Sequence, residues 1–372
     1  MTKKKKSWVR WLIPGFIFQS VVIGGGYGTG AEIKEYFLTQ GFVGGLLGTL
    51  VTLVFWSVLC AITFEFTRVF KTFDYQSMNK KLLGKGAFLY EICYIVLLLI
   101  VLGVVNATAS SMITDLTGLS GWVGIAILSV GIIALVVLGT EAIEKALSFW
   151  SYVLYAVYIV FMILCFTKFG DVISAQWQAK EIGSGWALMG AKYAFYNLGI
   201  VPAILYTMRD TETRKEAVGQ GLITGALGII PAILLLVCEA GCMPGTLTAE
   251  VPVTAIFAAL NNRPLYIVFE IVLFGTLIET GTGFIKAVDD RIEIAIENSG
   301  KEKPVWVRPT IAVVAVLIGI GISTFGLTGL IAKGYGTICW GFFIFYVIPM
   351  CTLGIYKIVK HDKEEAEAPA AE

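Results

Sequence analysis

The chain has 372 residues, of which 57% are hydrophobic and only 15% are charged, and its mean hydropathy is +0.80. A soluble protein of this length could not cover so much apolar surface in one core. The apolar residues also fall in blocks of about 18 to 25, the length of a membrane-spanning helix. Composition therefore predicts a polytopic membrane protein. It argues against a soluble enzyme, a nucleic-acid binder and a disulfide-stapled secreted domain.

Ten apolar segments follow a short basic arm at 1–10, and an acidic, Ala-rich tail at 358–372 follows them. The tail from His361 onward is expected to be disordered because it has few residues to bury. The segments divide into two halves of five, at 11–169 and 186–357. Their predicted positions are 11–38, 42–69, 87–111, 121–138, 147–169, 186–208, 218–240, 264–297, 307–324 and 328–357.

The positive charges predict the orientation of the chain. Most of the 28 Lys and Arg residues lie in the arm, in every second loop and in the tail. Cytoplasmic loops carry this excess, so both termini are expected on the cytoplasmic side of the cytoplasmic membrane. The arm runs directly into a long apolar stretch without a small-residue cleavage site, so we expect no removable signal peptide.

Two segments are interrupted near their middle. The first contains the glycine-rich run at 23–30, and the sixth contains Tyr196-Asn197-Leu198-Gly199-Ile200-Val201-Pro202. Interior glycine weakens a helix by about 1 kcal/mol, and proline removes a donor and clashes with the preceding turn. Close packing of helices is the alternative explanation for such residues. Paired breaks in two five-helix halves of opposite orientation favour instead a secondary transporter with its site between the breaks.

On these residues the chain resembles the LeuT-fold amino acid–polyamine–cation superfamily, and over its whole length it is similar to YkvI-like bacterial membrane proteins, which are grouped with amino acid permeases. The resemblance implies an all-α fold with a five-plus-five inverted repeat. It implies that helices one, two, six and seven form a moving bundle and that helices three, four, eight and nine form a scaffold. Helices five and ten would act as gates.

The glycine-rich break predicts a site for an anion. Unwinding frees backbone N–H groups at the start of a helix, and glycines let a carboxylate approach them. The carbonyls just before the break suit a cation or an ammonium group. The residues expected to contact the solute here are Gly24, Gly25, Gly26, Tyr27 and Gly28.

The sixth segment predicts the complementary half of the site. Carbonyls freed from Phe195 to Leu198 would hold an amine, the amide of Asn197 would add a contact, and Tyr196 would cap the pocket. Asn106 on the third segment is a further expected solute contact. Together the two breaks suit a zwitterion, although a hydroxylated neutral solute would fit the same groups.

Segment eight carries the candidates for ion coupling. Glu279 is expected near the midplane, where an ionisable side chain is costly and indicates function, with a structural hydrogen bond as the alternative. The resemblance implies a sodium site formed by carbonyls near Val22 and hydroxyls of helix eight, here Thr280 and Thr282. The adjacent hydroxyl pair of well-defined sodium sites is missing from this sequence, which leaves proton coupling through Glu279 open.

Glu32 and Lys192 lie to the outer side of the two breaks and are candidates for a gating ion pair. A solvated vestibule is the alternative explanation for these two charges. No cofactor and no nucleic-acid partner is expected, and the remaining ligands are a small solute, the lipid bilayer and a transported sodium ion or proton.

Two patterns in the sequence are similar to sites of other protein classes. The pattern Gly26-Tyr27-Gly28-Thr29-Gly30 is similar to a dinucleotide-binding loop, but it lies within a membrane segment with no strand before it. The Gly-Tyr-Gly sequences at 26–28 and 334–336 are similar to a potassium filter, which requires four re-entrant loops. The sequence therefore predicts a non-enzymatic secondary transporter of an amino acid or similar zwitterion. A solute sensor on the same fold and an ion channel are the alternatives.

Overall fold

The structure is a computed structural model that describes residues 9–138, 140–298 and 304–367, and no strand occurs in these residues. The first part of the predicted N-terminal arm, 1–8, and the end of the predicted tail, 368–372, lie outside the described residues. We number the membrane-crossing units of the chain as spans 1 to 10. Their bounds are Val9–Val22 with Gly25–Gly28 and Ala31–Tyr36; Phe42–Phe70; Ala87–Thr117; Gly121–Leu138; Thr140–Ala179; Trp186–Leu198 with Val201–Met208; Arg214–Ala240; Arg263–Asn298; Val307–Ser323; and the consecutive helical segments from Leu327–Gly329 to Ile355–Glu367.

Shorter helices connect some of the spans. Between spans 2 and 3 the connection contains a helix whose first turn is capped by Asp74, which accepts from the N–H of Ser77 at 2.8 Å. Between spans 7 and 8 it contains two helices. The connecting helices are Leu38–Gln40, Tyr75–Leu83, Gly84–Gly86, Gly245–Thr248 and Pro252–Leu260.

The helices have the lengths that a multi-pass membrane protein requires. Within the described residues, seven helices are long and apolar enough to cross a membrane, and the bent pair of span 6 makes an eighth. Span 9 is a shorter apolar helix, and span 1 is divided into three pieces. These two spans complete the ten that the sequence predicts, so the predicted all-α polytopic fold is confirmed.

The spans pack as two groups. Spans 1, 2, 6 and 7 pack against one another, and spans 3, 4, 8 and 9 form a second packed set. Glycines bring the helices of the first group into close contact, because a Cβ on Gly225 would collide with Ser57 and a Cβ on Gly190 would collide with the backbone of Gly48. Small residues at such interfaces are the usual means by which membrane helices associate. This is the division into bundle and scaffold that the resemblance implies.

The C-terminal tail differs from the expectation. Instead of ending in a disordered segment from His361, the last helix continues to Glu367. Ion pairs explain its extension, since Asp362 contacts Arg214 at 2.6 Å and Lys360 contacts Glu364 one turn later at 3.6 Å. A tertiary contact thus supplies the stabilisation that the tail lacks in isolation.

Candidate functional site

Span 1 is interrupted at two points. Its first helix ends at Val22, and Gly24 is extended before the short helical turn Gly25–Gly28. Gly30 then has a φ of 81°, a left-handed conformation that favours glycine, and the last helix of the span starts at Ala31. The predicted break is therefore present, and it is wider than one turn of helix.

The first break leaves backbone donors unused. Among the described residues, the N–H groups of Gly25, Gly26 and Tyr27 donate to no backbone carbonyl. Such N–H groups attract anions, as at the start of any helix. Gly28 is an exception to the prediction, because its N–H already donates to the carbonyl of Gly24 at 2.8 Å.

Span 6 is bent at its predicted break. Its two parts, Trp186–Leu198 and Val201–Met208, meet at an angle of 56°. Pro202 has no N–H to offer the carbonyl of Leu198, and the carbonyls of Phe195 and Leu198 accept no backbone N–H in the described part of the chain. The break thus leaves these two carbonyl oxygens free. The other two predicted carbonyls, of Tyr196 and Asn197, are not free, because they accept from the N–H groups of Gly199 and Ile200 at 3.2 and 3.0 Å.

The two breaks face each other across a cavity of about 30 Å³. This volume accommodates little more than a water molecule, so the site is closed to an amino acid in this structure. Seven of the predicted site residues line it: Val22, Gly24, Gly25, Glu32, Tyr196, Asn197 and Thr280. The other lining residues are Val21, Leu97, Val101, Ile200, Phe284 and Tyr335.

Among the described residues, Glu32 is the one acidic side chain in the lining of this cavity. It is buried, with 4% exposed, and its Oε2 accepts a hydrogen bond from the Tyr196 hydroxyl at 2.5 Å. A Cβ on Gly26 would collide with Oε1 of Glu32, so glycine at position 26 gives the carboxylate its room. The glycine-rich run therefore admits an acidic side chain of its own span into the break.

The predicted pair of Glu32 and Lys192 is not formed in this structure. The ion pairs of the described residues do not include these two side chains, and Tyr196 is the partner of Glu32. Lys192 is half-buried and interacts electrostatically with Cys339 of span 10. A gating role for the pair stays a prediction for another conformation.

Aromatic rings close one side of the cavity. Tyr335 stacks on Tyr196 with ring centroids 4.7 Å apart and planes at 15°. Tyr36 packs on Tyr196 at 5.7 Å and donates from its hydroxyl to the carbonyl of Ile331 at 3.2 Å. Tyr335 ends the π-helical segment Leu330–Tyr335, so the second Gly-Tyr-Gly sequence belongs to the lining of the site.

Span 8 brings only one of its predicted coupling residues to the cavity. The hydroxyl of Thr280 lies 3.9 Å from the position that a Cβ on Gly24 would take. Thr282 is fully buried, and its hydroxyl has no hydrogen-bond partner among the described residues. Glu279 is half-buried, lies outside the lining and interacts electrostatically with Tyr155 of span 5.

Two residues that are predicted to contact the solute, Phe195 and Asn106, have side chains that face neighbouring spans and not the cavity. Phe195 stacks on Phe343 with centroids 4.6 Å apart. Asn106 donates to the carbonyl of Leu102 at 2.8 Å, and its Nδ2 lies 3.0 Å from the position of a Cβ on Gly319 in span 9. The side chain of Asn106 thus faces a neighbouring span, and its contact with the solute stays a prediction. The contact predicted for Phe195 is made by its carbonyl and does not depend on the direction of its ring.

Tyr27 and Leu198 are fully buried, and neither lines the cavity. Gly28 faces span 8 and span 5, since its carbonyl accepts from the Tyr158 hydroxyl at 2.7 Å and its Cβ position is occupied by Leu273. The middle of the glycine-rich run is therefore packed against the scaffold, and only its start faces the cavity.

Sequence reasoning missed two buried carboxylates and one aromatic lining residue. Glu239 and Glu270 are 0% and 2% exposed, and none of their carboxylate oxygens has a hydrogen-bond partner among the described residues. Both lie within apolar segments, which is the signal that could have identified them. Tyr335 carried a usable signal in the repeated Gly-Tyr-Gly sequence, but its position in the site depends on how span 10 packs against span 6.

Known structures share this architecture. A Na⁺-coupled sialic acid symporter is similar with a TM-score of 0.62, at 12% identity over 90% of this chain and 78% of that chain. The chain has the LeuT fold. MhsT in complex with L-phenylalanine is similar with a TM-score of 0.60, at 15% identity over 97% of this chain and 99% of that chain. A manganese transporter of Eremococcus coleocola has a TM-score of 0.58, at 14% identity over 94% of this chain and 80% of that chain.

At these identities the likeness concerns the fold alone. No protein-family model and no curated protein matches the chain. The predicted membership of the LeuT-fold class is confirmed at the level of architecture, and the finer resemblance to YkvI-like proteins stays a prediction.

Proposed function

We propose that this protein is a secondary transporter of the cytoplasmic membrane that works by alternating access. The proposal is supported by a LeuT fold whose two broken spans enclose a cavity between the bundle and the scaffold. A closed cavity of about 30 Å³ fits an occluded state, which must widen on one side to admit its solute. Both termini would lie in the cytoplasm, as the distribution of Lys and Arg predicts.

The solute we propose is an amino acid or a similar small zwitterion. The observation that carries this is the position of Glu32, whose carboxylate enters the cavity beside the unused N–H groups of Gly25 and Gly26. Glu32 would pair with the ammonium group, and the N–H groups would bind the carboxylate. A zwitterion satisfies both sets of groups at once, whereas a simple anion would be repelled by Glu32.

Coupling to sodium or to protons completes the proposal. Val22 and Thr280 both line the cavity, so an ion bound there would touch both spans 1 and 8. The carbonyl of Val22 already accepts from the N–H of Gly24 at 2.8 Å, which leaves it one lone pair for an ion. An ion that contacts both spans would favour the closed arrangement. The sodium-coupled symporter with the same fold makes sodium a reasonable first choice for the test.

A solute sensor is the second candidate, because it would use the same cavity without moving the solute. Binding alone would not separate the two functions, whereas net movement of solute would. The structure offers no feature that favours a channel, since the cavity is closed by stacked aromatic rings on one side.

The test is uptake of a labelled mixture of amino acids into proteoliposomes under a sodium gradient, a proton gradient and no gradient. Accumulation under one gradient would support transport and identify the coupling ion. Glu32→Gln should lose uptake, and Glu91→Gln, which removes a carboxylate of span 3 that does not line the cavity, is the charge-removing control. Saturable binding of an amino acid without uptake under any gradient would favour the sensor, and absence of both would contradict an amino acid as the solute.

A further inference from the structure

A second acidic side chain lies buried near the C-terminal end of span 7. Glu239 is 0% exposed, and neither carboxylate oxygen has a hydrogen-bond partner among the described residues. Its Oε1 occupies the place that a Cβ on Gly30 would take, and the side chain of Pro252 borders the same space. Glu239 thus fills the bend of span 1 that the left-handed Gly30 creates.

An isolated charge in this position is costly. Taking a carboxylate out of water without a donor or a cation costs several kcal/mol, so such groups bind a proton or a cation instead. The nearest cation is Lys34 of span 1, which interacts electrostatically with Glu239. Within the described chain the two side chains form no ion pair, because the Lys34 ammonium donates to the carbonyl of Ala249 at 2.6 Å.

A metal ion is a poorer occupant than a proton. A metal needs several oxygen ligands to replace its water shell. The carbonyls of Gly28 and Thr29, next to Gly30, already accept from Tyr158 and from the N–H of Val253. Among the described titratable side chains that interact with Glu239, Tyr27 alone has a hydroxyl without a hydrogen-bond partner. A metal would therefore find few further oxygen ligands here.

The charged and titratable groups around Glu239 come from spans 1, 5 and 7. Span 1 provides Tyr27 and Lys34, span 5 provides Tyr158, and Cys238 is its neighbour on span 7. A second layer faces these groups rather than Glu239 itself and consists of Glu32, Glu35, Tyr155, Cys165, Cys242, Glu250 and Glu270. Lys34 is the only cation in this set.

We propose that Glu239 is a proton-binding site that controls how span 1 packs against span 7. In the closed arrangement seen here, Glu239 carries a proton taken from water. When the two spans separate, water reaches the carboxyl group, the proton returns to water, and the resulting carboxylate attracts Lys34. Tyr27 interacts electrostatically with both Glu239 and Glu32.

The first experiment needs no solute and is independent of the proposed function. Infrared difference spectra of the protein in liposomes, between about pH 6 and about pH 9, report protonated carboxyl groups. Glu239→Gln should remove one carboxyl band that the wild type shows at low pH. Glu270→Gln is the matched control, a second buried and unpartnered carboxylate, and it should leave that band in place. A Glu239→Gln spectrum identical to that of the wild type would overturn the proposal.

A second variant keeps the proposal testable if Glu239→Gln does not fold. Lys34→Met removes the neighbouring cation, which favours the protonated carboxyl group. One carboxyl band of the wild type, which Glu270→Gln leaves in place, should then persist to higher pH in Lys34→Met than in the wild type. A band that disappears at the same pH in both proteins would contradict the role of Lys34 in releasing the proton.

The second experiment deepens the proposed function and rests on it. Proteoliposomes are tested for counterflow of the labelled amino acid mixture and, with a pH-sensitive dye, for proton movement on addition of that mixture. Glu239→Gln should retain counterflow and lose the proton movement seen in the wild type. Wild-type counterflow without proton movement would overturn proton coupling and leave transport intact. Absence of wild-type counterflow would contradict the proposed amino acid transport, while the infrared result would still decide whether Glu239 binds a proton.

Discussion

The hydroxyl of Tyr196 donates to the carboxylate of Glu32 at 2.5 Å and so links the two broken spans across their shared cavity. Glu32 lies beyond the break of span 1, and Tyr196 lies just before the break of span 6. Tyr335 of span 10 covers the tyrosine ring by stacking on it. A solute that takes the place of this hydroxyl on Glu32 would therefore loosen the contact between spans 1, 6 and 10.

We expect Glu32→Gln to weaken amino acid binding by about 10- to 100-fold, since a hydrogen bond to a charged group contributes about 1.5–3 kcal/mol. Glutamine keeps the size of the side chain and its contact with Tyr196 but removes the charge that pairs with an ammonium group. Competition binding with the labelled amino acid mixture measures the change. Lys192→Met should alter affinity by less than about twofold, because Lys192 lies outside the cavity. Equal losses in both variants would contradict the assignment.

Gly26→Ala should abolish solute binding although it adds only one methyl group. The new Cβ would collide with Oε1 of Glu32, and Glu32 is confined by its bond to Tyr196. Gly26→Leu should act more strongly in the same direction. Gly283→Ala in span 8 is the control, because nothing lies within 4 Å of its Cβ position. Thermal unfolding separates a lost site from a lost fold, and unchanged affinity in Gly26→Ala would show that Glu32 does not need this space.

Thr280→Val tests ion coupling in span 8. Valine has the same shape without the hydroxyl, so any sodium dependence of amino acid binding should disappear in this variant. Thr276→Val, one turn earlier, removes a hydroxyl that donates to the carbonyl of Val272 at 3.1 Å and does not line the cavity. Binding measured with and without sodium distinguishes the two. A sodium response that survives in Thr280→Val would exclude this hydroxyl as a ligand.

Glu279→Gln examines the role that the sequence predicts for this carboxylate. Because Glu279 is half-buried and lies outside the cavity lining, we expect solute affinity to change by less than about threefold. The pH and sodium responses of uptake are the readout for coupling. If both responses match the wild type, coupling through Glu279 is ruled out, and Glu239 becomes the stronger candidate.

The C-terminal helix depends on Arg214. This side chain bonds to Asp362 at 2.6 Å and to the buried Glu65 at 2.8 Å, and so joins the last helix to spans 2 and 7. Arg214 is about half exposed, so the contribution of its pairs is about 0.5–1 kcal/mol. Arg214→Met should accelerate proteolysis between 358 and 367 by about two- to fivefold. Lys360→Met, which breaks only an exposed pair with Glu364, should leave the rate near that of the wild type.

The positions of the spans and of both breaks follow from the sequence because they depend on local properties. A run of apolar residues long enough to cross a bilayer must form a helix there, and Gly24–Gly30 and Pro202 interrupt such helices wherever they pack. The tail is the exception, since its helix extends to Glu367 and its Asp362 contacts Arg214, a residue distant in the sequence.

Which side chains enter the cavity was decided by the tertiary structure. Sequence placed Glu32, Tyr196 and Thr280 near the breaks, but it could not show that Glu32 turns towards Tyr196 rather than Lys192. Neither could it show that Asn106 and Phe195 turn away. The direction of a side chain depends on the rotation of each helix about its axis, which is fixed by packing between spans far apart in the chain. Local sequence therefore determined where the helices break, and packing between distant spans determined what the breaks face.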